Sequence, residues 1–134
     1  MSLTENWIIP IQITDEYNLE GKFIEDTILL VEANIHNSEF GINSLIDEFH
    51  MSQSSLYKKI KILTGMSLTG FIRSVRLKNA AKIILHNNNP KLSSVAMDVG
   101  FNDYKYFKKS FKEHFGCLPS EYKDLIDSKK ETLE

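Results

Sequence analysis

From Phe23 onward, apolar residues recur at the three- and four-residue spacing of an amphipathic helix. Phe23, Ile24, Ile28, Val31 and Ile35 share a face with Thr27, and Glu25, Asp26 and Glu32 fall between them. His36-Asn37-Ser38 ends that run, and Gly41 with Asn43-Ser44 opens a short helix closing near His50. Ser52 then stands where a helix N-cap is wanted, ahead of Leu56, Ile60 and Leu63 on one face, and Thr64-Gly65 stops the helix. Ser67 opens a long helix to about His86, broken by Asn87-Asn88-Asn89-Pro90. A short helix over Ser93 to Val99, a turn at Gly100, and a strong helix from about Asp103 to Phe115 follow, the last stopped by Gly116. Pro119-Ser120 starts one more short helix through Leu125. Residues 1–22 include the apolar stretch Trp7 to Ile13, in which Pro10 excludes a central strand; they read as an extended lead-in or linker. Residues 127–134 read as a polar tail. No strand pair is evident, so the expected fold class is all-α with about seven helices.

The pattern repeats. Ile42, Leu45, Phe49 and Met51 fall on Leu92, Val95, Val99 and Phe101 at an offset of 50. After one added residue, Leu56, Ile60 and Gly65 fall on Phe107, Phe111 and Gly116 at an offset of 51. Each copy is a short helix, a tight turn and a longer amphipathic helix, which is the arrangement of a helix-turn-helix. One such hairpin could be plain bundle packing; two, over 42–64 and 92–115 and joined by a long helix over 67–86, are a more restrictive pattern. That connecting helix carries Phe71, Ile72, Val75, Leu77, Ala80, Ala81, Ile83, Ile84 and Leu85 around much of its circumference, so it has to be covered on more than one side. The domain is thereby expected to run from 23 to 126.

Charge sharpens this reading. The net charge of -2 over 134 residues conceals strong segregation. Residues 1–54 carry -9, residues 55–115 carry +9 and residues 116–134 carry -2. A basic block of that size suits a polyanion partner, although on charge alone a solvated surface explains it equally well. No apolar run approaches the ~18–20 residues of a membrane-spanning helix, and Met1 to Gly21 lacks the basic start of a signal peptide. The lone Cys117 excludes an internal disulfide framework and fits a reducing, cytoplasmic setting.

Position decides what charge cannot. Projected at 100° per residue, the helix after Ser52 puts Leu56, Ile60 and Leu63 on one side and Ser54, Tyr57, Lys58 and Lys61 on the other. The helix after Asp103 puts Tyr104, Phe107, Phe111 and Phe115 in an aromatic core stripe, with Lys105, Lys108, Lys109 and Lys112 in a separate basic stripe. Single exposed lysines are ordinarily solubility residues. Four sharing one face, opposite an aromatic one, are better explained by contact with phosphates or bases.

The two units resemble the AraC-type DNA-binding domain. The second carries Val95-Ala96, Gly100-Phe101, Phe107, Phe111, Phe115-Gly116, Pro119 and Tyr122 where that family has its signature. The first reads SLIDEFHMSQSSLYKKIKILTGMSLTGFI, with His50 where many such units have glycine. The resemblance spans about Phe23 to Lys123. It implies sequence-specific binding of a double-stranded DNA operator through two recognition helices in adjacent major-groove segments. Ser54, Tyr57, Lys58, Tyr104, Lys105 and Lys108 stand at the family's base-reading positions, and Lys61, Lys109 and Lys112 at the backbone-contacting ones. The faces so chosen hold neither Arg nor Gln, so base preference is not legible beyond a weak leaning of Lys105 and Lys108 toward guanine. The similarity extends to output domains of hybrid two-component regulators, which makes an upstream sensor or receiver domain, and RNA polymerase, partners to consider.

Catalytic chemistry is not indicated. His36, His50, His86, His114 and Cys117 lack zinc-ligand spacing, and no glycine-rich phosphate loop occurs, so the reading is of no enzyme, no metal and no cofactor. On the spine helix, Arg76 is placed either to reach a phosphate or to bridge to a neighbouring acid. The competing reading is a degenerate helix-turn-helix that docks a basic protein through its acidic first lobe.

Overall fold

The computed structural model describes residues 15–133. Among them helices are joined by short loops and there is no strand: α1 (Asp15–Ala33), α2 (Ile42–Phe49), α3 (Gln53–Thr64), α4 (Leu68–His86), α5 (Leu92–Asp98), α6 (Tyr104–Phe115) and α7 (Pro119–Leu133). The apolar lead-in Trp7 to Ile13 lies outside the described residues. Two compact units emerge, the first ending at Val75 in mid-α4 and the second taking up from Arg76, with loop residues 36–38 also belonging to the second.

In the first unit, Ile24, Ile28 and Val31 of α1, Leu45 of α2, and Leu56, Ile60 and Leu63 of α3 form one buried cluster with Leu68, Phe71, Ile72 and Val75 of α4. In the second, Leu77, Ala80, Ala81 and Ile84 of α4 are buried, as are Val95, Ala96 and Val99, Phe101, and Phe107 and Phe111 of α6. The breadth of apolar surface on α4 is thus matched by burial along its whole length. Ser74 belongs to the same buried stretch, its hydroxyl donating to the Phe71 carbonyl at 2.7 Å.

Local chemistry sets the helix limits. Ser52 caps α3 by accepting from the Ser55 N–H at 3.2 Å, and Asp103 caps α6 by accepting from the Lys105 N–H at 2.9 Å. Ser67 accepts from the Gly70 N–H at 3.1 Å as α4 begins. Gly65 and Gly116 stop α3 and α6 in the left-handed conformation, at φ 76° and 81°. α7 opens with Pro119 in its first position, while the Glu121 carboxylate reaches back to the Leu118 N–H at 2.9 Å.

Two limits differ from those read off the sequence. α1 begins at Asp15, eight residues before Phe23, so residues 15–22 are helix and not extended linker. The residues that precede Phe23 include helix formers with no apolar stripe, and Leu19, 71% exposed, gives that turn no buried face for a periodicity to register. α7 continues past Leu125 to Leu133. Glu121 in its first turn and Lys130 in its last complement the helix dipole, a support that leaves no hydrophobic pattern.

The two helix-turn-helix turns are built alike. In the first, His50 adopts φ 53° and the Met51 N–H donates to the Ile46 carbonyl. In the second, Gly100 adopts φ 91° and the Phe101 N–H donates to the Ala96 carbonyl. Each is a left-handed stop followed by an apolar residue that turns back toward the core. Histidine fills the role glycine fills in the other copy. Because the left-handed conformation costs an L-residue about 1–2 kcal/mol, Gly100→Ala is expected to lower stability by roughly that amount in thermal or urea unfolding. His50→Gly is expected to shift it by less than about 1 kcal/mol, the relief being offset by glycine's greater unfolded-state freedom.

Candidate nucleic-acid interface

The two recognition helices display what their buried faces leave over. On α6, Phe107 and Phe111 are fully buried, and Ser110 is 4% exposed between them. An aromatic ladder continues through Phe111 to Phe115 (4.5 Å between ring centroids) and on to Tyr122 of α7, which meets Phe111 edge-on at 5.3 Å. At the other end Phe101 packs edge-on against Phe107 at 5.2 Å. Such pairs contribute about 0.5–1.5 kcal/mol each beyond area burial. With that face so engaged, Lys105, Lys108, Lys109 and Lys112 are all exposed and share the opposite side of α6. Glu113, also exposed, stands at the edge of the stripe.

Tyr104 occupies the boundary. Its ring stacks on Phe107 at 6.1 Å yet remains 37% exposed, and the Lys108 ammonium lies 5.9 Å from its centroid. It belongs to the core stripe, where the helical wheel put it, and is exposed beside the lysine stripe as well.

On α3 the displayed face is sparser. Ser54 and Lys58 are exposed, but Tyr57 is only partly so and packs against the first unit's core. Lys61 is exposed and donates to the Gly65 carbonyl at 3.0 Å, capping its own helix. The remaining lysine, Lys59, lies across the Phe23 ring of α1 at 4.3 Å and serves the packing of α1 on α3. Gln53 was missed by the wheel projection, which looked for Arg and Gln only within the chosen faces. It is the first residue of α3 and exposed, a position that Ser52 as N-cap marks in the sequence itself.

Arg76 is turned inward, onto two backbone carbonyls. It is 6% exposed, with its guanidinium donating to the Val99 carbonyl at 2.9 Å and the Asn37 carbonyl at 3.0 Å. Burial pushes its pKa below the ordinary guanidinium value. It ties loop 36–38 and the end of α5 together within the second unit. Cys117 is buried as a small apolar residue, and its thiol pKa is raised by desolvation and then by the Glu121 carboxylate. Among the described residues no cluster of His, Cys, Asp and Glu has the makings of a metal site, and no helix is long and apolar enough to cross a membrane.

A family model described as a helix-turn-helix domain matches residues 45–124. The chain belongs to the AraC-type helix-turn-helix family. This is a family of DNA-binding transcription regulators. Histidine kinase P4 of Formosa agariphila is 32% identical to it over 117 residues, which are 87% of this chain and 8% of that protein. The Msm operon regulatory protein of Streptococcus mutans is 29% identical over 121 residues, 89% of this chain and 42% of that protein. The chain thus spans less than half the length of these two relatives. Among solved structures, the C-terminal domain of AraT, a response regulator from Geobacillus stearothermophilus, superposes with a TM-score of 0.67 at 22% identity, covering 76% of this chain and 84% of that one. The DNA-binding domain of AdpA, solved in complex with a target DNA, gives 0.69 at 17% identity, covering 81% and 96%. These structural likenesses establish the AraC-type fold.

The inward placement of Arg76 is directly testable. Arg76→Met, similar in length but without donors, is expected to lower stability by about 2–3 kcal/mol in urea unfolding, because it leaves the carbonyl of buried Val99 without its charged donor and releases the Asn37 carbonyl. Measured well below the melting point, its DNA affinity should stay within about twofold of the parent; a lost phosphate contact would instead flatten the salt dependence of binding.

Proposed function

We propose that this chain is the DNA-reading output region of a larger transcription regulator, in which α3 and α6 each enter a major-groove segment of the operator. The observation that carries the proposal is the α6 surface: four exposed lysines on the outer face of the second helix of a helix-turn-helix. In that motif the N-terminal part of the second helix meets base edges and later residues meet the backbone. Lys105 and Lys108, with Tyr104, are accordingly assigned to base edges, and Lys109 and Lys112 to phosphates. On α3, Ser54, Lys58 and the exposed edge of Tyr57 take the reading role, joined by Gln53, whose amide suits adenine. Lys61 takes a phosphate on exchanging its helix-capping bond for one.

The relatives support the larger context. A histidine kinase, an operon regulator and response-regulator domains are similar to this chain, which fits a signal-receiving portion elsewhere in the polypeptide and a cytoplasmic site of action. The chain itself supplies binding, not catalysis.

Selection from a random duplex pool, followed by anisotropy titration on the recovered sequence, tests the assignment. With about six lysine–phosphate or lysine–base contacts, affinity is expected to fall roughly 10³-fold between 50 and 200 mM salt. Lys112→Ala should weaken all duplexes alike and reduce the salt slope by about 1. Lys105→Ala and Lys108→Ala should each cost about 1–3 kcal/mol and relax discrimination at particular base pairs. A Lys105→Glu/Lys108→Glu double variant that folds and still binds the selected duplex normally would remove α6 from the reading role. Salt-insensitive capture of a basic protein with no selected duplex would favour the interaction-module reading.

A further inference from the structure

Lys58 and Lys61 of α3 are exposed, but Lys59 is half-buried, its ammonium 4.3 Å from the centroid of the Phe23 ring on α1. The same ring packs against that of Phe49, the last residue of α2, at 5.0 Å. One side chain of α1 therefore touches both helices of the first helix-turn-helix, on either side of the left-handed turn at His50. At 100° per residue the buried residues Leu56, Ile60 and Leu63 span only about 60° of α3. A helix held by so narrow a stripe is free to roll about it. A roll of about 20° moves a group at the helix rim, about 5–6 Å from the axis, by about 2 Å. Hydrogen-bond lengths vary by only about 0.5 Å, so such a roll breaks a base contact. Two residues flank the stripe and oppose that motion. Tyr57, about 60° beyond one edge, packs against the core, and Lys59, about 40° beyond the other edge, is held by Phe23. Ser54 and Lys58 lie on the far side of the helix, where a roll displaces them most directly.

We infer that Phe23 and Lys59 are positioning residues for DNA reading: α1 sets the roll of α3 and so aims Ser54 and Lys58, while Lys59 itself touches no DNA. This rests on the DNA-reading assignment of α3. The internal repeat supplies a control. The equivalent of Lys59 in α6, at an offset of 51, is Ser110, 4% exposed, and there the buried stripe is continued by the rings of Phe115 and Tyr122. Dependence on α1 is therefore confined to the half-site read by α3. A contact biases the aimed arrangement over a rolled one by no more than its own strength. For a partly exposed cation–π pair that limit is roughly three- to tenfold in affinity.

The test uses the duplex that the unmodified chain selects from a random pool. Its α3 half-site is assigned as the one whose base preferences change in Lys58→Ala, and two further duplexes carry one scrambled half-site each. All variants are titrated well below their melting points. Lys59→Met, which keeps the apolar stem and removes the charge, is expected to bind the intact duplex about three- to tenfold more weakly. It should match the parent on the duplex with a scrambled α3 half-site and keep the parent's salt slope. Lys59→Arg, which restores a cation over the ring, should recover the affinity, and Phe23→Leu should behave like Lys59→Met. Should Phe23→Leu fail to fold, the two Lys59 variants decide alone. Parental binding by Lys59→Met would overturn the inference, leaving the pair a packing contact only. So would equal losses on the two scrambled duplexes, or a salt slope reduced by about 1, the mark of a phosphate contact. Failure to select any duplex would overturn the DNA-reading assignment along with it, which separates the two failures.

Discussion

A twelve-residue helix is marginal in water by itself, so each recognition helix exists because one of its faces is buried. For α3 the anchoring residues are Leu56, Ile60 and Leu63; for α6 they are Phe107 and Phe111, extended by Phe115 and Tyr122. That constraint decides the opposite face as well. Once 3.6-residue periodicity commits these positions to the core, Lys105, Lys108, Lys109 and Lys112 have no direction left but outward. Stability and display are the same geometrical fact, and disturbing the aromatic ladder would disturb the aim of the lysines.

The turns convert this display into a particular orientation. A left-handed residue followed by an apolar one ends the first helix of each unit and redirects the chain within three to five residues. A capping oxygen from Ser52 or Asp103 then fixes where the next helix starts. The caps also place specific side chains: the cap at Ser52 makes Gln53 the leading residue of α3, and the cap at Asp103 makes Tyr104 that of α6. Arg76 reinforces the second turn from below by donating to the Val99 carbonyl just before Gly100. A buried arginine bonded to two carbonyls brings charge-assisted hydrogen bonds to both.

The units share a plan and differ in chemistry. α6 offers four exposed cations, whereas α3 offers Lys58 and a Lys61 that caps its own helix, with Lys59 turned to Phe23. On the proposed reading, nonspecific phosphate affinity concentrates in the second unit. The first, with Gln53, Ser54 and Tyr57, is chemically more varied and is then better suited to discriminating bases than to holding the backbone. Glu25 of α1 and Asp47 and Glu48 of α2 are exposed in that same unit and lower its attraction for a polyanion further.

Much of this was legible in the sequence because it follows from local rules. Periodicity located five helices to within a few residues, glycine and serine marked their ends, and the offset of 50 to 51 exposed the duplication. The core faces of α3 and α6 followed from the same periodicity, and the exposed lysines are what those faces left. What the tertiary structure alone decided concerns contacts between residues far apart in the chain and helix not held by an apolar stripe. Arg76 meets partners 23 and 39 positions away, which no local pattern can specify. Tyr57 is drawn partly into the core by its neighbours, and Lys59 is claimed by a phenylalanine on α1. α1 extends back to Asp15 and α7 on to Leu133 on propensity and charge placement, without the hydrophobic signal that reveals a helix. Sequence periodicity reports which face is buried. Which of the remaining side chains stay available to DNA depends on what the neighbouring helices bring within reach.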